Sequence, residues 1–347
     1  MTSEPLRVIF LADTRPGHYH LAEGVIAAIG RLRPVDVTRI EVKRKWIVPT
    51  RWLRARINAK TFFPPRMLRM SYRIDAYSLP KADLVVSAGG ETQMPNICVS
   101  RFLGGIPSIF CGSLLRGLAP ENFSLIISSY DRDAGSPRHI VTLKPSAIDP
   151  DKLGRPKTVP RYGPNLHPKL AGLLIGGNAG PFRYRRSEWE RLLAFIKQVS
   201  REWGMRWLVS TSRRTAESVA DLIGKAAEDE SVIERFIDYR KAGPGTLPEI
   251  FGRAEVIVCT EDSSTMISEA VSARLPVIGV APRAHRFTDD EREYRDFLIR
   301  NAWCRVLPIA DLSPANFAVA LGEIRPLQEN PLDTLAARLK ERLPELF

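Results

Sequence analysis

The sequence is sparing with cysteine: four in 347 residues, at Cys98, Cys111, Cys259 and Cys304, with no C-x-x-C spacing. That scatter excludes a disulfide framework and a cysteine-rich zinc site, and it fits a reducing, cytoplasmic setting. No window offers ~18 uninterrupted apolar residues, so no transmembrane helix is expected. The opening MTSEPLRVIFLAD puts an acid ahead of its apolar run and offers no small-residue cleavage site, which argues against a secretory leader. There is no Walker P-loop, no G-x-G-x-x-G, and no RNP, helix-turn-helix or zinc-finger signature. The lack of a Walker motif argues against phosphoryl transfer from a magnesium nucleoside triphosphate. What is present is a globular composition, 44% hydrophobic and 26% charged, in a chain long enough for two domains.

The sharpest absence is local. Between Lys43 and Arg73 there is no Asp or Glu, while ten basic residues fall there: Lys43, Arg44, Lys45, Arg51, Arg54, Arg56, Lys60, Arg66, Arg69 and Arg73. They account for most of the net charge of +12. Trp46, Ile47, Trp52, Leu53, Ile57, Phe62, Phe63, Met67, Leu68 and Tyr72 are interleaved with them. Cations mixed with amphipathic aromatics suit an anionic bilayer surface, where each basic residue gains ~1 kcal/mol and indoles sit at headgroup depth. Lys43, Arg44, Lys45, Trp46, Arg51, Trp52, Arg54, Arg56, Lys60, Phe62 and Phe63 are the expected membrane contacts. The competing reading is a solvated charged face packed on its parent domain, and nucleic acid ranks below both.

Strands alternate with helices in two successive halves, which predicts βαβ units and parallel sheets. In the first half, Leu6–Ala12 reads as a strand buried on both faces, followed by a polar turn and a helix over His20–Leu32. Further strands are expected at Val35–Val42, Asp83–Ala88, Pro107–Cys111, Ser124–Ser128 and His139–Leu143, with a helix over Pro95–Leu103. A connector rich in Pro and Gly (Pro145, Pro150, Gly154, Pro156, Pro160, Gly163, Pro164, Pro168) precedes a second half. There, strands are expected at Leu170–Ile175, Arg206–Thr211, Val256–Thr260 and Pro276–Val280, with helices over Ser187–Trp203, Ala216–Ala227 and Ser264–Ser272. Ser187 and Glu190 are spaced as a capping box. The expected domains are 1–160 and 161–325, with a last helix over 326–347 that either crosses back onto the first half or packs locally. The expected fold class is α/β, two Rossmann-like domains facing a cleft.

Three polar turns end strands of the second half. Gly176-Gly177-Asn178-Ala179-Gly180 lets backbone N–H groups approach an anion at a helix start, although a lone Gly-Gly turn is a weak signal. Ser210-Thr211-Ser212-Arg213-Arg214-Thr215 offers hydroxyls and two guanidinium groups for phosphates, or a helix cap with solvated arginines. Thr260 to Ala270 runs from a strand into a helix and carries Glu261, Asp262, Ser263, Ser264, Met266 and Glu269. Its Glu269 is placed to accept bonds from ribose hydroxyls. Glu261 and Asp262 would repel a phosphate, so hydroxyls or backbone are their expected contacts. Together the turns describe a nucleotide site. Asp131-Arg132-Asp133 imitates a metal-binding D-x-D, a triplet common by chance, and no metal is expected.

At these residues the chain resembles a known family. LLIGGNAGPFRY, STSRRTAESV and VIVCTEDSSTMISEAVSARLPVIGV look like the diagnostic stretches of the mitochondrial fission (elongated-mitochondria) family, with a looser likeness in LADTRPGHYHLAEGV and DLVVSAGGET. Bacterial members are described as glycosyltransferases, so the resemblance implies a GT-B-like fold with the sugar-nucleotide donor on the second domain. The S-E-A segment also looks like the ribose-binding site of the lipid-linked N-acetylglucosaminyltransferase of peptidoglycan synthesis, which implies that role for Glu269. The chain departs from the family pattern at Gly89-Gly90-Glu91-Thr92, where Gly-Arg-Arg-Thr is usual, at Ser129 to Asp133, and at Ala242 to Gly245.

The resemblance implies a metal-independent, inverting glycosyltransferase at the inner face of the cytoplasmic membrane. Its donor would be a UDP- or CMP-linked sugar, and its acceptor a lipid-linked or cell-envelope glycan such as lipopolysaccharide. Gly176, Gly177, Asn178, Ser212, Arg213, Arg214, Glu261, Asp262, Ser263, Ser264, Met266 and Glu269 are the expected donor-binding residues, and no cofactor is implied. His18 is the leading base because histidine titrates near operating pH, with Asp13 and Glu91 as rivals. Alternatives are a non-catalytic membrane adaptor, as in the plant member that acts in organelle division, and a sugar-nucleotide epimerase.

Overall fold

The computed structural model describes residues 4–46, 48–154 and 160–347. Ile47 and the connector's Pro156 lie outside them. The chain falls into two compact units, 1–147 with 331–347, and 148–330.

The first unit begins with β1 (Leu6–Ala12), α1 (Pro16–Ile29) and β2 (Val35–Glu41). Then come α2 (Thr50–Asn58), α3 (Pro64–Tyr72), β3 (Leu84–Ala88), α4 (Gln93–Phe102), β4 (Ser108–Cys111), β5 (Leu125–Ser128) and β6 (His139–Val141). The six strands form one parallel sheet in the order β2-β1-β3-β4-β5-β6. Side chains alternate across the buried β1: Leu6, Val8 and Phe10 pack with α1, whereas Ile9 and Leu11 pack with Leu53, Ile57, Met67 and Leu68 of α2 and α3. Sequence periodicity leaves α2 and α3 unassigned, because their exposed faces are basic and only short apolar stripes face inward. The price of that arrangement is small, since long basic side chains remain solvated.

The second unit repeats the theme with β7 (Leu170–Leu174), α5 (Arg186–Trp203), β8 (Arg206–Ser210), α6 (Glu217–Ala226), β9 (Ile233–Ile237), α7 (Tyr239–Ala242) and α8 (Leu247–Arg253). It continues with β10 (Val256–Thr260), α9 (Ser264–Ser272), β11 (Val277–Ala281), α10 (Asp289–Arg300), β12 (Cys304–Pro308) and α11 (Pro314–Glu323). Its parallel sheet runs β12-β11-β10-β7-β8-β9. Helix α5 starts one residue before its expected cap. Glu188, not Glu190, accepts the Arg185 backbone N–H at 2.8 Å, while Glu190 pairs along the helix with Arg186 at 2.9 Å. β9, α7, α8, α10, β12 and α11 are additions to the expected element list.

The chain closes with α12 (Pro331–Arg342). Leu332, Leu335, Ala336 and Leu339 join the core cluster of the first unit, which also holds Ala22, Val25 and Ile29 of α1. The units therefore part after Ala147 rather than at 160, and 331–347 returns to the first unit. No helix among the described residues is long and apolar enough to cross a membrane.

Leu339 is fully buried. Leu339→Ala should cost about 2–5 kcal/mol. Urea unfolding followed by tryptophan fluorescence and circular dichroism checks this; a change below about 0.5 kcal/mol would show that α12 is not part of the core.

Candidate functional site

In each sheet the strand order reverses once, between β1 and β3 in the first unit and between β7 and β10 in the second. Ligands of open parallel sheets bind beyond the carboxyl ends of strands at such switch points. Both sets of expected site residues fall there.

In the first unit Asp13 ends β1 with its side chain almost buried. One carboxylate oxygen accepts the Arg15 backbone N–H at 3.0 Å, and the other lies 2.6 Å from Nδ1 of His18. With Asp13 ionised, that contact puts the imidazole proton on Nδ1 and leaves Nε2 as the free acceptor. His18 itself is only part-buried, so Nε2 belongs to an accessible group. The neighbouring strand makes room for the pair. Gly89, just after β3, has φ +92°, and a Cβ there would stand 2.3 Å from His18 Nδ1 and 2.8 Å from the Asp13 carboxylate. Thr92 holds that turn by donating its hydroxyl to the carbonyls of Ala88 and Gly89. The structure thus joins Asp13 to His18. Glu91 is exposed on the turn and takes no part in the pair.

In the second unit β7 lies between β10 and β8, so the three polar turns are neighbours. Their chemistry differs from the expectation. The Gly176 N–H donates to Thr260 Oγ1 at 2.7 Å, and the Gly177 N–H donates to Asp262 Oδ2 at 3.2 Å. The amides expected to receive phosphate are turned onto side chains of the third loop. Arg214 donates through Nε and Nη2 to Asp262 Oδ2 at 3.1 and 2.9 Å. Arg213 is exposed and has no ion pair among the described residues. Asn178 and Ser212 hold their own turns: Asn178 Oδ1 accepts the Tyr184 N–H at 2.7 Å, and Ser212 Oγ accepts the Arg214 N–H at 3.2 Å. Ser263 caps α9 by accepting the Met266 N–H at 3.4 Å. Ser264 and Glu269 are half-buried on that helix. A cavity of about 220 Å³ is lined by Gly177, Asn178, Tyr184, Arg186, Trp189 and Arg214, with α6 on its far side.

Glu261 has a separate task. It is wholly buried and accepts from Arg295 Nε of α10 at 2.6 Å, and its backbone carbonyl takes a second guanidinium nitrogen at 3.3 Å. Glu261 Oε1 and Arg295 Nη1 are buried without a hydrogen-bond partner. Burial pushes the Glu261 carboxyl up against the opposing pull of Arg295. The pair anchors the end of β10, from which Asp262 projects.

The basic stretch divides in the structure. Arg44, Lys45 and Arg54 donate to backbone carbonyls of Val48, Arg69 and Arg116, and Phe62 is half-buried under the Arg101 guanidinium. These four expected contacts are turned inward. Lys43, Arg51, Arg56 and Lys60 are exposed, with Trp46 at 90%, Trp52 at 46% and Phe63 at 62% exposure. Met70 joins them at 51%.

Sequence reasoning passed over Thr260, Tyr184, Thr215 and Arg295. Thr215 bonds the carbonyls of Ile175 and Gly176, and Tyr184 reaches Asp262 at 3.4 Å. Thr260, Thr215 and Tyr184 sit inside quoted motifs; nothing local in the sequence marks Arg295. Among the described residues no three His, Cys, Asp or Glu side chains are grouped as metal ligands, and Asp133 of the D-x-D imitation accepts instead from Ser128.

A family profile described as mitochondrial fission ELM1 matches residues 16–343. Among solved structures the fold is similar to Acinetobacter baumannii MurG (TM-score 0.52, 13% identity, 97% of this chain and 100% of that chain). It is also similar to the UDP-GlcNAc 2-epimerase of Neisseria meningitidis bound to UDP-GlcNAc (0.51, 12%, 98% and 100%). A third is Staphylococcus aureus MnaA with UDP (0.52, 11%, 99% and 98%). At such identities the likeness establishes the fold, two Rossmann-like units of GT-B type. No curated protein matches the chain by sequence.

Arg295→Met leaves Glu261 buried without its cation and should cost about 3–5 kcal/mol near neutral pH. The folded state then holds a proton on Glu261 at pH values where the unfolded glutamate, near ~4.3, has lost it. The unfolded chain binds fewer protons, so the variant's stability relative to wild type should be greatest below about pH 4 and fall as pH rises. Urea titrations from pH 4 to 8 check this, and a pH-independent deficit would clear Glu261 of responsibility.

Proposed function

Because the chain belongs to the mitochondrial fission ELM1 family, we propose that it is a GT-B glycosyltransferase that moves a sugar from a UDP- or CMP-linked donor to a lipid-linked or envelope-glycan acceptor. The observation that carries the reading is the Asp13–His18 pair at the first switch point, 2.6 Å apart, with Nε2 of His18 left as a base. In an inverting displacement the acceptor hydroxyl gives its proton to Nε2 as its oxygen attacks the anomeric carbon. The carbon–oxygen bond to the donor phosphate breaks, and its electron pair leaves on the phosphate. Asp13 stabilises the imidazolium that forms. Positioned proton transfer of this kind contributes about 10²–10⁴-fold.

The second unit would hold the donor. Arg213 and Arg214 supply cations for the charge that develops on the leaving phosphate, with Ser263 and Ser264 at the start of α9. In this reading the guanidinium groups do that work without a metal. Glu269 would accept the ribose hydroxyls. The neighbour crystallised with UDP-GlcNAc supports a nucleotide-sugar donor of this class.

The exposed residues Lys43, Trp46, Arg51, Trp52, Arg56, Lys60 and Phe63 support peripheral contact with an anionic membrane on its cytoplasmic side, where a lipid-linked acceptor would be presented.

Two experiments test the proposal. In a thermal-shift panel a UDP- or CMP-sugar should stabilise the wild type and His18→Ala, but not Glu269→Ala. His18→Ala should lose about 10²–10⁴-fold in transfer with donor affinity kept. Conversion of the free sugar nucleotide without acceptor would mark an epimerase, and a panel without any response would mark an adaptor. In flotation assays anionic vesicles should carry the protein and neutral ones should not. Arg51→Gln with Arg56→Gln should weaken partitioning by about 30-fold, at ~1 kcal/mol per charge; equal binding to both vesicle types would remove the membrane contact from the proposal.

A further inference from the structure

The Gly176–Gly177 turn follows a buried strand, precedes a long helix and sits at a switch point, a place where backbone N–H groups receive anions. In this protein an anion is already seated there, and it belongs to the chain. The Asp262 side chain is wholly buried. It accepts the Gly177 N–H at 3.2 Å and two nitrogens of Arg214 at 2.9 and 3.1 Å, with the Tyr184 hydroxyl 3.4 Å from its other oxygen. A Cβ on Gly176 would meet both carboxylate oxygens at 2.2–2.3 Å, so glycine is needed to admit the carboxylate. Backbone N–H, forked guanidinium and hydroxyl are the donor set a phosphate uses. Gly177, Tyr184 and Arg214 also line the cavity of about 220 Å³, so anything entering it meets donors that Asp262 has engaged.

We propose that Asp262 is an internal competitor for the phosphate seat, a specificity-determining residue that a ligand must displace from Arg214 and Gly177 in order to bind. The proposal rests on the reading of this unit as a donor site and adds what that site selects. A diphosphate carries enough charge to exchange with a carboxylate on a guanidinium. An uncharged nucleoside does not, and a single inorganic phosphate competes poorly. Arg214 then changes partner from Asp262 to the ligand, and Asp262 turns toward its remaining donor, Tyr184, whose hydroxyl burial and the carboxylate both push up and so keep protonated.

The test is calorimetric titration of the full chain with inorganic pyrophosphate, which reads the seat without any transfer. Asp262→Asn keeps the shape and one acceptor oxygen for the Gly177 N–H while removing the charge. It should bind pyrophosphate at least tenfold more tightly than wild type, and Asp262→Ser should do the same if the asparagine variant folds poorly. Adding Arg214→Gln to Asp262→Asn should abolish the gain. Glu217→Gln removes an equal charge from the exposed start of α6 and should stay within twofold of wild type. Equal affinities for wild type and Asp262→Asn, or a tenfold gain in Glu217→Gln, would overturn the role of Asp262 and leave the donor reading standing. Absence of pyrophosphate binding in wild type and Asp262→Asn alike would overturn both.

Discussion

A parallel strand is followed by another in the same sheet almost always through a right-handed crossover, and every such strand delivers its carboxyl end to the same edge. Where the order of strands reverses, two consecutive crossovers depart to opposite faces and leave a gap that no helix covers. Both sheets here obey this rule, at β1/β3 and at β7/β10, and their polar chemistry follows from it. Asp13 follows β1 and His18 lies in the first turn of α1; it is Gly89, just after the neighbouring strand β3, whose missing Cβ leaves room for the imidazole and carboxylate to meet. Asp262 reaches the Gly177 amide because β10 and β7 are hydrogen-bonded neighbours although more than 80 residues separate those positions.

Much of this was legible beforehand. Fully buried strands announce themselves as apolar runs, and Leu6–Ala12, Val256–Thr260 and the helix Ser264–Ser272 fall at their expected residues. Residues near each other in sequence were also legible, because Asp13 and His18 need only a short turn to meet. Elements with little apolar content were not. The edge strand β9 exposes Arg235, and α2 and α3 present basic faces that hide their single buried stripes. Partner choice across the sheet was not legible either. Nothing near Gly177 says that its N–H will find a carboxylate from a loop three strands further along the chain, and nothing near Glu261 names Arg295.

The basic stretch shows how composition overstates a surface. Ten cations within 31 positions look like one patch. Three of those predicted to touch a membrane instead tie helix ends and loops together through backbone carbonyls, and an aromatic residue is covered by an arginine from α4. What faces solvent is a narrower set, in which Trp46 is the most exposed of the large apolar side chains. Long cationic side chains serve as hydrogen-bond donors where a helix pair lacks caps, and only the remainder is available for long-range attraction.

Helix α12 carries a consequence for how the molecule is made. Its leucines complete a core begun by α1, roughly three hundred residues upstream, while a whole second unit is built in the interval. During synthesis that second unit can mature as soon as it leaves the ribosome, whereas the first must wait, with part of its hydrophobic interior uncovered, until the last segment emerges. The folded insert shortens the span the tail has to close and thereby lowers the entropic cost of its return. Until then the nascent chain is a ready client for chaperones at the uncovered flank of α1, where Val25 and Ile29 wait for their partners.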